Sequence, residues 1–333
     1  MTPTTIQLPR VPLAHLPTPI EPLPNLSRHL GGPALFIKRD DQTGLATGGN
    51  KTRKLEFLIA QALEADADSV ITAGSTQSNH ARQTAAAAAR CGLESHLVLY
   101  APGGQAPAQF NGNLLLVDLL GATIHWTTER APYAKTIAQV EARLAANGKR
   151  PYVIPYGGSN AYGLMGYVTA IEEFIAQAGT RGHFDAHVFA TSSGGTQAGM
   201  LLGARLFDLP EHSQLFGISV DRTRDKLAPE IALLAAQGAA LLGLDWTPDL
   251  DAITIDDNYL GGGYAVVGEP EREAIRLLAK REGILVDPVY TGRALAGLID
   301  LIRQNRFTRE QRVLFWHTGG SAALFAFADI LHQ

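Results

Sequence analysis

Between Lys51 and about Tyr162 the chain switches repeatedly between helical and extended apolar patterns, and no other feature restricts its fold so tightly. Leu55, Leu58, Ile59 and Ala62 recur at helical spacing, and the run Val70-Ile71-Thr72-Ala73 follows as a short strand. The patterning predicts helices over 52–65, 79–91, 108–120 and 131–147, alternating with strands over 69–73, 95–100, 122–126 and 151–155. The rest of the chain behaves alike. A first strand is expected over Leu35-Phe36-Ile37-Lys38, then helix 163–178, strand 187–191, helix 196–206, strand 214–220, helix 270–282 and strand 312–317. Repeated alternation of this kind indicates an α/β protein with open parallel sheets and helices on both faces. Ligands of such sheets gather at the carboxyl ends of strands, so chemistry is to be sought in the loops that follow them.

Composition narrows the class. With 333 residues, 46% hydrophobic content and a net charge of -4, the chain is long enough for two domains and nothing favours a nucleic-acid partner. The single Cys91 has no partner for an internal disulfide, the N-terminus lacks a basic stretch followed by an apolar one, and no apolar run approaches bilayer length. A cytoplasmic protein without a membrane segment is the expectation. Prolines at 3, 9, 12, 17, 19, 22 and 24 rule out a long helix and suggest an extended arm, of a kind that often packs on a partner subunit. Arg39-Asp40-Asp41 reads as a loop with capping duties.

Three loops after strands stand out. Thr47-Gly48-Gly49-Asn50-Lys51-Thr52-Arg53-Lys54 combines a tight turn with a lysine on the first turn of a helix. The helix dipole and the neighbouring Arg53 and Lys54 are expected to lower the Lys51 pKa and free its amine as a nucleophile towards an aldehyde. A phosphate loop is excluded, because Asn50 stands where the lysine of that motif belongs. Gly74-Ser75-Thr76-Gln77-Ser78-Asn79-His80 converges amides, hydroxyls and a helix start, which suits a carboxylate, while Ser78 or Asn79 as an N-cap is a compatible alternative. Ser192-Ser193-Gly194-Gly195-Thr196 turns from a strand into a helix and suits a phosphate. Further on, Asn258-Tyr259-Leu260-Gly261-Gly262-Gly263-Tyr264 is a flexible turn, and Asp287-Pro288-Val289-Tyr290-Thr291-Gly292 is expected to end another short strand. Phe315-Trp316-His317-Thr318-Gly319-Gly320 ends a strand in a polar turn.

Taken together, Gly-Gly-Asn-Lys-Thr-Arg-Lys, Gln-Ser-Asn-His-Ala-Arg-Gln, Ser-Gly-Gly-Thr, Asp-Pro-Val-Tyr-Thr-Gly and His-Thr-Gly-Gly resemble the pyridoxal-phosphate enzymes of the 1-aminocyclopropane-1-carboxylate deaminase and D-cysteine desulfhydrase family. The resemblance covers nearly the whole chain, with the motifs in family order. It implies a tryptophan-synthase-β-like fold (fold type II), with a small domain over 48–163 and a large one from 1–47 plus 164–333, and a homodimer.

The resemblance also assigns roles. Lys51 would bond covalently to pyridoxal 5'-phosphate, Ser193, Gly194, Gly195 and Thr196 would hold its phosphate with Lys54 nearby, Asn79 would contact the ring hydroxyl, and Thr318 would face the ring nitrogen. Ser78 with the amides of Asn79 and His80 would take the carboxylate of a small amino-acid substrate, with Tyr264, Tyr290 and Thr291 on the substrate side. Deaminases of the family carry Glu and Leu where this chain has Thr291 and Thr318, whereas desulfhydrases carry hydroxyl residues. A neutral hydroxyl at the ring nitrogen leaves a weaker electron sink, which suits elimination of a good leaving group. The implied reaction is therefore conversion of D-cysteine to pyruvate, hydrogen sulfide and ammonia. L-cysteate sulfo-lyases share these motifs, and Thr43-Gly44-Leu45-Ala46-Thr47 resembles theirs more closely. Ring opening of the cyclopropane amino acid, and a non-catalytic cofactor carrier, are the remaining alternatives.

Overall fold

Residues 34–38 and 312–316, from opposite ends of the chain, lie side by side as parallel strands. In the computed structural model, which describes residues 6–131, 133–179 and 182–332, both ends of the sequence therefore build one sheet. Pro3 of the N-terminal arm and Pro132 of the predicted helix 131–147 lie outside the described residues.

The strands are β1 (Ile20–Pro22), β2 (Ala34–Lys38), β3 (Ser69–Ser75), β4 (Glu94–Tyr100), β5 (Thr123–Thr127), β6 (Pro151–Val153), β7 (Ala186–Thr191), β8 (Gln214–Ser219), β9 (Ile255–Asp256) and β10 (Arg312–Trp316). They form a six-stranded sheet in the order β1-β2-β10-β7-β8-β9 and a four-stranded sheet in the order β5-β4-β3-β6. All pairings are parallel except β1 with β2. The helices are α1 (Pro24–Leu30), α2 (Asn50–Glu64), α3 (Asn79–Arg90), α4 (Gly112–Leu119), α5 (Ala134–Ala146), α6 (Met165–Ala178), α7 (Gly195–Leu206), α8 (Arg224–Leu241), α9 (Glu269–Glu282), α10 (Thr291–Arg303) and α11 (Ala328–Leu331). Val188, Ile218, Val313 and Phe315 from the large sheet share a core with Leu295 and Ile299 of α10, all buried. In the smaller unit Leu55, Leu58 and Ile59 of α2 pack with Val70 and Ala87, so one face of the predicted helix is spent on that core.

Three expectations need correction. The segment 284–289 forms no strand, because the Asp287 carboxylate accepts hydrogen bonds from the amides of Val289 (3.0 Å), Tyr290 (3.0 Å) and Thr291 (2.7 Å) and so starts α10. Helices α1, α8 and α10 are not among those the periodicity predicts; in α8, Pro229 interrupts the pattern inside the helix. Asp40 is no exposed cap. It is fully buried, paired with Arg53 (2.9 Å) and accepting from Tyr167 Oη (2.7 Å) and Thr18 Oγ1 (2.8 Å). As expected, the arm from Arg10 to Ala14 is laid over the surface of the chain: Glu56 of α2 pairs with Arg10 and accepts from the amides of Leu13 and Ala14.

Candidate active site

The turn before α2 is held by its backbone. Gly48 and Gly49 have φ of +69° and +130°, and a Cβ on Gly48 would lie 2.0 Å from Asp41 O, so the turn requires glycine there. Thr43 Oγ1 accepts from the Gly49 amide (2.8 Å), and the Asn50 amide donates to Thr318 O (2.9 Å), which joins this turn to the loop after β10. Lys51 then projects from the first turn of α2 into a cavity, with Nζ donating to Gly157 O (3.1 Å).

Burial lowers the Lys51 pKa to about 8. The expected direction holds, but Arg53 is not its cause. Arg53 points away from the cavity into the Asp40 and Glu173 carboxylates, and burial is the largest cause. Lys54 is also fully buried, 3.3 Å from both Gly157 O and Ser159 Oγ, and its pKa is pushed down by burial and then by Lys51. Uptake of pyridoxal phosphate by the cofactor-free protein needs the neutral Lys51 amine. Its rate, followed by stopped-flow absorbance, should rise with pH and level off above about 8, well short of the ordinary lysine value of 10.5.

Four loops converge on this cavity. From the end of β3 come Ser78, Asn79 and His80; Ser78 caps α3 by accepting from the Ala81 amide (3.1 Å) and still faces the cavity. His80 is bound to Thr72 Oγ1 (2.8 Å) and is kept neutral by burial and by the two lysines. From the end of β7 come Thr191, Ser192, Ser193, Gly194 and Thr196; no side chain caps the start of α7, so its leading amides keep room for a ligand. From β10 comes Thr318, and from the start of α10 Tyr290. Tyr264 lies behind Tyr290, with the two hydroxyls 2.7 Å apart and Ser75 Oγ 3.3 Å from Tyr264. Burial raises the pKa of both tyrosines. They are therefore neutral hydrogen-bonding groups at neutral pH.

Thr291, like Lys54 and Tyr264, does not line the cavity. It is fully buried, and its hydroxyl donates to Asp287 Oδ1 (2.7 Å) while accepting from the Asp287 amide (2.9 Å), so it fixes the start of α10 and contributes no surface to the cavity. Thr291→Glu would set a second carboxylate against Asp287. The expected outcome is a loss of roughly 3 kcal/mol or more in stability, read from thermal or urea unfolding, and no gain of new substrate specificity.

The sequence reading misses Tyr156, Gly157 and Ser159, although they occupy a glycine-rich turn after a strand, the very signal used for the other loops. Tyr156 and Gly157 line the cavity. A Cβ on Gly157 would lie 2.4 Å from Ser193 Oγ, and one on Gly195 would lie 2.6 Å from Ser159 Oγ and 2.9 Å from Lys54 Nζ. Bare glycines thus leave a recess bounded by hydroxyls, helix-start amides and an ammonium. Arg293, also unforeseen, pairs with Glu271 (2.8 Å) and donates to the carbonyls of Leu260, Gly263 and Val266, which fixes the turn bearing Tyr264.

The donor set fits a phosphorylated aldehyde. Among the described residues Lys51 in the cavity and Lys54 beside it have only neutral oxygens as hydrogen-bond partners, so anions are wanted there, and the Gly195 recess beside Lys54 suits a phosphate. The nucleophilic Lys51 amine, which shares Gly157 O with Lys54, stands beside it.

Comparison with known proteins agrees with this chemistry. The family described as "Pyridoxal-phosphate dependent enzyme" matches residues 11–319. D-cysteine desulfhydrase of Klebsiella pneumoniae (strain 342) is 46% identical over 323 residues, covering 96% of this chain and 97% of that protein. D-cysteine desulfhydrase of Salmonella typhi is 45% identical, over 96% of this chain and 97% of its own. Among solved structures, one described as an ACC deaminase homologue superposes with a TM-score of 0.89 at 38% identity, covering 98% of this chain and 96% of that one.

Proposed function

This chain belongs to the family of pyridoxal-phosphate dependent enzymes, and from that premise we propose that it is a carbon-sulfur lyase that converts D-cysteine to pyruvate, hydrogen sulfide and ammonia. The observation that carries the reading is the 46% identity, over nearly the full length of both chains, to a D-cysteine desulfhydrase. The cavity supports it. Its substrate side offers the neutral hydroxyls of Ser78 and Tyr290, and among the described residues lining it Lys51 is the only cation. A thiol leaving group needs no more, whereas a sulfonate brings a second anion that calls for a cation of its own.

When bound, the cofactor withdraws electrons from the substrate α-carbon and makes its proton acidic. Lys51 would hold the cofactor covalently, and its amine, with a pKa near 8, is suited to take up the Cα proton at Nζ. Ser193, Gly194, Gly195 and Thr196, with Lys54, hold the phosphate. The Asn79 amide would meet the ring oxygen and the Thr318 hydroxyl would face the ring nitrogen. Ser78 Oγ and the amides of Asn79 and His80 take the substrate carboxylate. The Tyr264-Tyr290 pair borders the departing sulfur and donates a hydrogen bond to it.

The reading divides the chain into a small domain over 48–163 and a large one from 1–47 plus 164–333; in support, every strand of the four-stranded sheet falls between Ser69 and Val153. It also includes a cytoplasmic homodimer. Leu115, Leu119 and Phe325, exposed on neighbouring segments, support association, and no helix among the described residues is long and apolar enough to cross a membrane.

The test is a panel of D-cysteine, L-cysteine, β-chloro-D-alanine, L-cysteate and 1-aminocyclopropane-1-carboxylate, scored for keto acid, sulfide and sulfite. D-cysteine should give sulfide and pyruvate fastest. Faster release of sulfite from L-cysteate would transfer the assignment to a sulfo-lyase, the reading favoured by residues 43–47, and 2-oxobutyrate as the best product would make it a deaminase.

A further inference from the structure

Arg82 of α3 is enclosed by the protein and has no carboxylate within ion-pair distance among the described residues. Its Nη1 donates to Asn113 Oδ1 (2.7 Å) and lies 3.5 Å from Asn79 Oδ1, its Nη2 donates to Gly48 O (2.7 Å), and its Nε has no partner. Asn113 in turn donates to Asn79 Oδ1 (2.9 Å) and to Gln77 O (3.0 Å). The Asn79 oxygen is thus engaged away from the cavity that Asn79 lines, and its amide nitrogen is the polar atom left for a ligand. Gly48 belongs to the turn that launches Lys51. One guanidinium therefore spans the two loops on which the cofactor depends.

We propose that Arg82 is a positioning residue of the cofactor site: it fixes the Asn79 amide with its nitrogen offered to the cavity, ties the Lys51 turn to the same array, and holds in reserve a positive charge that Asp287 compensates only in part until an anionic ligand enters. The proposal rests on the reading of the cavity as a pyridoxal-phosphate site. A buried cation with neutral partners costs stability in the empty protein and returns it when an anion arrives, which links cofactor binding to folding. In agreement, burial lowers the Arg82 pKa to about 10, with only a partly compensating influence from Asp287. An ordinary structural arginine would stabilise the empty and loaded protein alike.

The experiment compares the wild-type protein with Arg82→Met and Arg82→Lys by thermal unfolding with and without pyridoxal phosphate, by cofactor titration and by absorbance of the bound cofactor at fixed pH. In Arg82→Met the melting temperature of the cofactor-free protein should hold or rise, the rise on cofactor binding should shrink, affinity should fall by about tenfold or more, and the ratio of visible to near-ultraviolet absorbance should change. Arg82→Lys, which keeps the charge without the fork, should recover part of the affinity. Equal destabilisation of both forms, or failure of the cofactor-free Met variant to fold, would overturn the proposal by making Arg82 a structural residue. An unchanged affinity and spectrum would overturn it as well. If the wild-type protein itself gave no visible band with the cofactor, the reading of the site would fall instead.

Discussion

Lys51→Ala is expected to abolish the visible absorption that lysine-bound pyridoxal phosphate gives and to lower β-elimination by about 10⁴-fold or more. The magnitude follows from how singular this amine is. It lines the cavity, donates among the described residues to Gly157 O alone, and is brought by burial to a pKa of about 8, so near neutrality a useful fraction is unprotonated. Lys54 is no substitute, because its ammonium is enclosed between Gly157 O and Ser159 Oγ and does not line the cavity. The variant should still fold, since it loses one buried cation and Gly157 O keeps Lys54 Nζ as a donor. Far-ultraviolet circular dichroism and the absorbance spectrum check the two halves of this statement. A retained visible band, or a borohydride-reduced label mapped to another peptide, would remove Lys51 from its assigned role.

The second large effect distinguishes two adjacent glycines. Gly195→Asp should abolish cofactor retention in a protein that remains folded, with at least about a hundredfold loss of affinity, because the new side chain starts 2.6 Å from Ser159 Oγ and 2.9 Å from Lys54 Nζ. Its carboxylate would fill the recess and pair with the lysine in place of the phosphate. Gly194→Asp acts by another route. At Gly194 φ is +77° and the added Cβ would meet Ile231 at 3.1 Å and Leu234 at 3.3 Å, so strain and an apolar setting predict general destabilisation. Equilibrium dialysis with thermal unfolding separates the two. Stoichiometric cofactor in folded Gly195→Asp would move the phosphate elsewhere.

The alternation of elements, the turn before Lys51 and the two helix starts at Asn79 and Gly195 follow from the sequence by itself. Each rests on local terms: apolar spacing along one helix, positive φ at Gly48 and Gly49, and orphan amides at a helix N-terminus. Tertiary structure decides what those terms do not contain. Asp287 and Thr291 read locally as the end of a strand, yet a carboxylate turned onto three amides makes them the start of α10 and takes Thr291 out of the cavity. Arg53 and Lys54 are neighbours in sequence with opposite surroundings, one neutralised by Asp40 and Glu173, the other enclosed beside Lys51 with no carboxylate partner among the described residues. Tyr264 and Tyr290 meet only because Arg293 gathers the carbonyls of one loop while Asp287 anchors the other. In every such case the deciding partner lies across the fold, where a hydrogen bond or a buried charge is worth most and a local pattern carries no record of it.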